Sequence, residues 1–179
     1  MEPQQQMITL PHSRLTGPDI GLTVTELRTL EHHRGIAWTA VLQQHGRRVG
    51  TIDDDGNGGE TYYHPDPGSP FGYDQLNAYA AQCRRDGQAI STEGVLNDLT
   101  EEHETAELIT DAATRGRTLA RSIDPEGFTR DRLEVRRAAT PEQTITRYLT
   151  PVPETTPGAR WYLWDWQAEQ WISVHPPTG

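Results

Sequence analysis

The sequence predicts an α+β fold: an antiparallel three- or four-stranded meander near the N-terminus, packed by helices, with a Trp-rich β-hairpin at the C-terminus. Three observations carry this expectation. Strand-like runs flank His45-Gly46, apolar residues recur at helical spacing after Tyr73, and two aromatic runs near the end bracket a polar turn. At 179 residues the chain fits one ordinary domain, or one domain with a small appendage. Its apolar fraction is 34% and its mean hydropathy −0.74, so any core must be lean. The expected division is an N-terminal arm at 1–18, an α+β domain at 19–150, a proline-rich linker at 151–159 and the C-terminal hairpin at 160–179.

Met1 to Pro18 is rich in Gln and Pro and reads as a loose arm. From Leu22 to Arg28 a strand is expected whose inner face is poorly defined, because both alternating sets mix polar and apolar residues. Ile36 to Gln43 is apolar on both sets, which suggests a central strand covered on both sides. His45-Gly46 is a hairpin signal, Arg48 to Ile52 returns, and Thr61 to His64 extends the sheet. Helices are expected over Tyr73–Arg85, closed by Gly87, and from Ser91-Thr92 onward. The second continues its 3.6-residue period through Gly116 to Ile123, as one helix or two. Leu133 to Arg136 suggests a short strand. Thr140-Pro141 opens another helix that ends near Leu149, with Thr at the cap and Pro at the first helical position. Trp161–Trp164 and Trp171–Val174 form the closing hairpin.

Charge and composition exclude several function classes. Net charge is −10 from 26 acids and 16 bases, all of them Arg, so general binding to nucleic-acid phosphates is disfavoured. The lone Cys83 allows neither an internal disulfide nor a multi-cysteine zinc site, and its helical setting reads as core packing. No stretch of 18 apolar residues suggests a membrane span, and no apolar signal-peptide core follows Met1, so the cytoplasm is the expected location.

The segment most suggestive of chemistry is Asp53 to Glu60. Asp53, Asp55, Asn57 and Gly58 match the opening of a calcium loop, but loop position 12 is His64 instead of Glu, and the flanking segments are strand-like. A nucleotide cradle built on the glycines would meet three repelling aspartates and lacks the phosphate-loop Lys. The favoured reading is structural: a tight turn in which Gly56, Gly58 and Gly59 supply unusual backbone angles and the acids bond local amides. The run Gly46–Gly59 resembles a pattern in small uncharacterised bacterial and phage proteins, where a hairpin strand ends in an (Asn/Asp)-Asp-Gly-x-Gly-Gly turn. The resemblance spans Ile36 to Arg85, rests on Asp54, Asp55, Gly56, Gly58 and Gly59, and leaves Asp53 outside the pattern. It implies a hairpin and brings no activity with it.

No nucleophile elbow or zinc-protease helix is present, and no catalytic residue is assigned. Between Glu93 and Asp111 lie seven acids and no Arg. A solvated helix face is the plain reading, and Glu101, Glu102, Glu104 and Glu107 forming a surface for a basic partner protein is the sharper one. Trp164 and Trp166 are the aromatic candidates for the same interface, with core packing as the alternative. The expected function is therefore a non-catalytic protein-binding or regulatory role, such as a phage or mobile-element accessory or inhibitor protein, with self-association among the options. The alternative is a metal or small-ligand site, with hydrolytic activity as an option, that uses Asp53, Asp55, Asn57 and His64 to hold Ca²⁺ or Mn²⁺.

Overall fold

The structure, a computed structural model, describes residues 6–33, 35–150, 152 and 157–174. It is mixed α and β, with antiparallel sheets and three helices among the described residues. The chain divides into two compact units, Met1–Thr105 and Ala106–Gly179. No described helix is long and apolar enough to cross a membrane.

The first unit holds two four-stranded sheets. One is a meander of β3 (Leu22–His32), β4 (Gly35–Gln44), β5 (Arg47–Asp54) and β6 (Tyr62–Pro65), paired in sequence order. The His45-Gly46 turn has φ of 49° and 72°, the left-handed pair that matches strand twist in a tight hairpin. The indistinct inner face of β3 has a structural cause. The register against β4 shifts between Thr25 and Arg28, where Glu26 sits at φ 52°. This bulge reverses the alternation: Leu22 and Val24 face the core before it, and Leu27 packs on the core after it.

Of the expected loose arm, residues 1–5 lie outside the described residues, and the remainder is corrected. Met7–Thr9 (β1) and Leu15–Pro18 (β2) pair with each other, and β2 continues to Arg84–Arg85 (β7) and Gln88–Ala89 (β8). The helix expected to reach Arg85 stops earlier: α1 covers Tyr73–Gln82, opened by the Gly72 amide donating to the Gln75 side chain at 2.9 Å. Gly87, expected to close that helix, instead forms with Asp86 the turn between β7 and β8, at φ 80° and 49°. The helix α2 (Thr92–Thr114) starts where Ser91 suggested, its hydroxyl accepting from the Gly94 amide at 3.0 Å. Leu15, Leu42, Ile52, Leu76, Val95 and Leu96 lie at the centre of this unit's core, none more than 2% exposed.

The second unit corrects the helical reading of residues 116–123. The helix α2 ends at Thr114, Gly116 turns the chain at φ 64°, and Arg117–Ile123 is a strand, β9. Every residue of β9 from Thr118 to Ile123 is buried, so the period-two signal vanishes and the apolar spacing mimics a helix. The sheet order is β10 (Thr129–Arg136), β9, β11 (Arg160–Asp165), β12 (Gln170–Ser173). The tryptophan hairpin is thus real, and it is completed by β9. Trp161, Leu163, Ala120 and Leu149 form this unit's core. Of the expected linker, residues 151, 153, 154, 155 and 156 lie outside the described residues.

The helix α3 (Pro141–Tyr148) forms as the sequence predicts, with the Thr140 hydroxyl accepting from the Gln143 amide at 3.3 Å. Replacing Thr140 by alanine is expected to cost about 1 kcal/mol, the usual worth of a hydroxyl cap. A urea melt of the variant with an unchanged slope measures it.

Candidate functional site

The sheet of the first unit outruns its core at one end. Beyond Trp38, which pairs with Asp54, the β3–β4 hairpin continues as a two-stranded ribbon with exposed side chains on both faces. Leu30 lies opposite Ala37 and is 69% exposed; Ile36 lies opposite Glu31 and is 53% exposed. Adjacent cross-strand pairs point to opposite faces, so each face of the ribbon presents one aliphatic residue. The expectation that this strand is covered on both sides fails at its start, because the apolar run is longer than the layer that packs on it. Ala40, Val41 and Leu42 are the buried part.

The Asp53–Glu60 segment sits against this ribbon. It joins β5 to β6, with Asp53 opposite Tyr62, so it bends between paired strands. Gly56 and Gly58 take φ of 68° and 78°, while Gly59 does not enter the left-handed region. Gly56 is the tight position: a Cβ there would lie 2.5 Å from the Ile36 carbonyl carbon and 2.6 Å from the Ala37 nitrogen. The turn is therefore held against the start of β4 by backbone-to-backbone approach. His32 adds a ring-nitrogen contact of 3.0 Å to the Asp55 carbonyl oxygen.

The carboxylates in this segment are engaged separately. Asp54 accepts from the Gly56 amide at 2.7 Å and from the Thr61 hydroxyl at 3.2 Å. Asp55 accepts from the Asn57 amide at 2.8 Å, and hydrogen bonds from Asn57, backbone first and side chain second, hold its pKa below the usual carboxylate value. Asp53 points elsewhere, its Oδ1 lying 2.5 Å from His64 Nε2 on the solvent-facing side of the sheet. The structure thus brings Asp53 to His64 and Asp55 to Asn57, and does not gather the four residues at one point. Among the described residues no group of three or more His, Cys, Asp or Glu side chains converges as a metal site.

The acidic helix has a different character from the one its sequence suggested. Glu102 Oε2 accepts from the amides of His12 and Ser13, both at 2.8 Å, and Oε1 lies 4.0 Å from His12 Nε2. It fastens the loop between β1 and β2 to α2. Asp98, 2% exposed, binds Arg85 of β7, with Nε to Oδ2 at 3.0 Å. Burial pushes its pKa up to about 6, against the opposing pull of Arg85. Glu101 and Glu104 are partly exposed and Glu107 is exposed.

The aromatic candidates sit in the second unit. Trp164 is buried, its ring edge-on to Trp171 at 5.4 Å, and Trp171 receives the Arg121 guanidinium at 4.0 Å. Trp166 is partly exposed under Arg137 at 4.8 Å. The residues that sequence reasoning missed are Leu30 and Ile36. Their apolar character was visible, but nothing in the sequence marks where the packed layer ends. Comparison with protein-family models, curated proteins and solved structures finds no match to this chain.

Proposed function

We propose that this is a non-catalytic binding protein that docks a partner protein through the β3–β4 ribbon and the turn locked beside it. The observation that carries the reading is the exposure of Leu30 and Ile36 on opposite faces of one ribbon. Single exposed aliphatics are ordinary, but two on a projecting ribbon anchored by backbone contact form a rigid apolar wedge. Around it stand Glu31, Asp53 and Asp55, and residues 1–105 carry sixteen acids against seven Arg, a net of −9. The fitting partner is a protein with an apolar groove rimmed by Arg or Lys. The turn's resemblance to phage and bacterial proteins supports a mobile-element accessory or inhibitor as the biological setting. The metal alternative draws less support, because Asp53 meets His64 while Asp55 turns to the Asn57 amide, and the four residues it needs do not converge among the described residues.

The test replaces Leu30 with a photo-crosslinking amino acid, exposes the protein to extract from a bacterial host, and identifies the adduct. One partner is expected, and the double variant Leu30→Asp/Ile36→Asp should bind that partner, once purified, at least about tenfold more weakly than the parent in direct titration, since two anchor residues at about 1–2 kcal/mol each exceed that factor. Both sites are solvent-exposed, so the melting midpoint should hold. Undiminished affinity of the double variant would sink the proposal; an adduct with a second copy of this chain would replace it with self-association.

A further inference from the structure

The geometry points to a second binding site in the first unit: a cleft between the β4–β5 turn and the loop after β6, built for an oxyanion carried on a compact apolar group. The cleft encloses about 490 Å³, within the size range of small-ligand sites. His45, Arg47 and Arg48 line it, together with Asp66, Val49 and Pro70. This places two guanidiniums and an imidazole around one hollow in the unit that carries most of the chain's negative charge.

Three features distinguish the cleft from a patch of solvated arginines. The first is a fixed frame. The His45 amide donates to the Gly21 carbonyl at 2.8 Å, and the Asp66 amide donates to the Val49 carbonyl at 2.9 Å, so the turn and the loop are each tied down. The second is a pre-oriented guanidinium. Arg48 donates to Asp66 through Nε at 2.9 Å and Nη2 at 3.3 Å. A guanidinium has five N–H groups in a rigid fork, so three stay available once the carboxylate has taken two. That pairing also neutralises Asp66. Glu26, the other acid acting on Arg48, stands 4.0 Å from Arg28. Third, Arg47 is exposed at the cleft with no ion-pair partner among the described residues, while Pro67 and Pro70 of the loop offer an apolar floor. An oxyanion meeting Arg47 and the spare edge of Arg48 would make charge-assisted hydrogen bonds without displacing Asp66. Phosphate and carboxylate groups share this chemistry, and the floor favours either one attached to a ring or short aliphatic group.

Titration of the full chain followed by amide NMR tests the assignment, with phenyl phosphate, benzoate, inorganic phosphate and neutral benzyl alcohol as probes. One or both ring-bearing anions should shift the amides of residues 45–49 and 66–70 and saturate below about 10 mM, and the stronger anion identifies the group preferred. Inorganic phosphate should bind more weakly than phenyl phosphate, and benzyl alcohol should leave these amides in place. The exposed-site variant Arg47→Ala should weaken anion binding about tenfold, the worth of one charge-assisted contact. Arg147→Ala in α3 should leave it unchanged. The inference falls if neither ring-bearing anion shifts these amides, if benzyl alcohol shifts them equally, or if Arg47→Ala binds like the parent.

Discussion

Replacing Arg85 by alanine is expected to destabilise the protein by about 3 kcal/mol at pH 8 and by distinctly less at pH 5. The large cost follows from what the substitution strands. Asp98 is 2% exposed on α2, and its carboxylate is held by the Arg85 fork. Removing one partner of a buried pair leaves an uncompensated charge, typically worth about 3–5 kcal/mol. The pH dependence follows from the raised pKa. With a folded value of about 6 against an ordinary 3.8, the folded state binds more protons than the unfolded chain between those two values. The stability contributed by Asp98 is therefore full below about pH 4 and declines as pH rises toward 6, by an amount on the order of 2–3 kcal/mol. Without Arg85 the carboxyl holds its proton to still higher pH, so at pH 5 it is neutral in the variant fold and the stranded charge disappears. Urea melts at the two pH values measure the difference. Asp98→Asn provides the control: it should abolish this part of the pH dependence. Equal Arg85→Ala penalties at both pH values would show that Asp98 is not the responsible group.

This pair also marks the boundary of what the sequence discloses. Asp98 is one of seven acids between Glu93 and Asp111, and Arg85 belongs to a segment whose spacing continues that of a helix. Only the pairing of β7 with β2, nearly seventy residues earlier in the chain, brings Arg85 beneath α2. Legible features were those with a local cause. His45-Gly46 has the composition a tight hairpin demands, Thr140-Pro141 starts a helix, and the polar turn after Trp164 is fixed by Asp165 accepting from the amides of Gln167 and Ala168. The misread features depend on distant partners. Strands β1 and β2 are too short to show alternation, and β9 is buried on both faces and so has none. The candidate site divides in the same way. The glycine turn could be read from its residues, whereas the exposure of Leu30 and Ile36 depends on the packed core ending at Trp38, which no local signal marks.

The contact that joins those two halves of the site gives the second large effect. Gly56→Ala should cost about 3 kcal/mol, and Gly58→Ala about 1 kcal/mol. Both glycines sit at left-handed φ, 68° and 78°, so each substitution carries the same conformational penalty of about 1–2 kcal/mol. Their surroundings differ. A Cβ on Gly58 meets nothing within 4 Å, whereas one on Gly56 presses into the Ile36 and Ala37 backbone. Main chain in a paired strand has no rotamer with which to give way, so overlap there adds about 1–3 kcal/mol. The difference between the two variants thus isolates the close approach of turn and ribbon from the strain they share. The same difference should be visible in binding. Gly58→Ala should keep the partner captured through Leu30, and Gly56→Ala should weaken capture by moving the start of β4, with amide shifts concentrated at Ile36 and Ala37. Equal stability losses and equal capture would mean that the turn does not brace the ribbon. Leu30 and Ile36 would then lack the rigidity that makes a projecting pair of aliphatic residues an anchor.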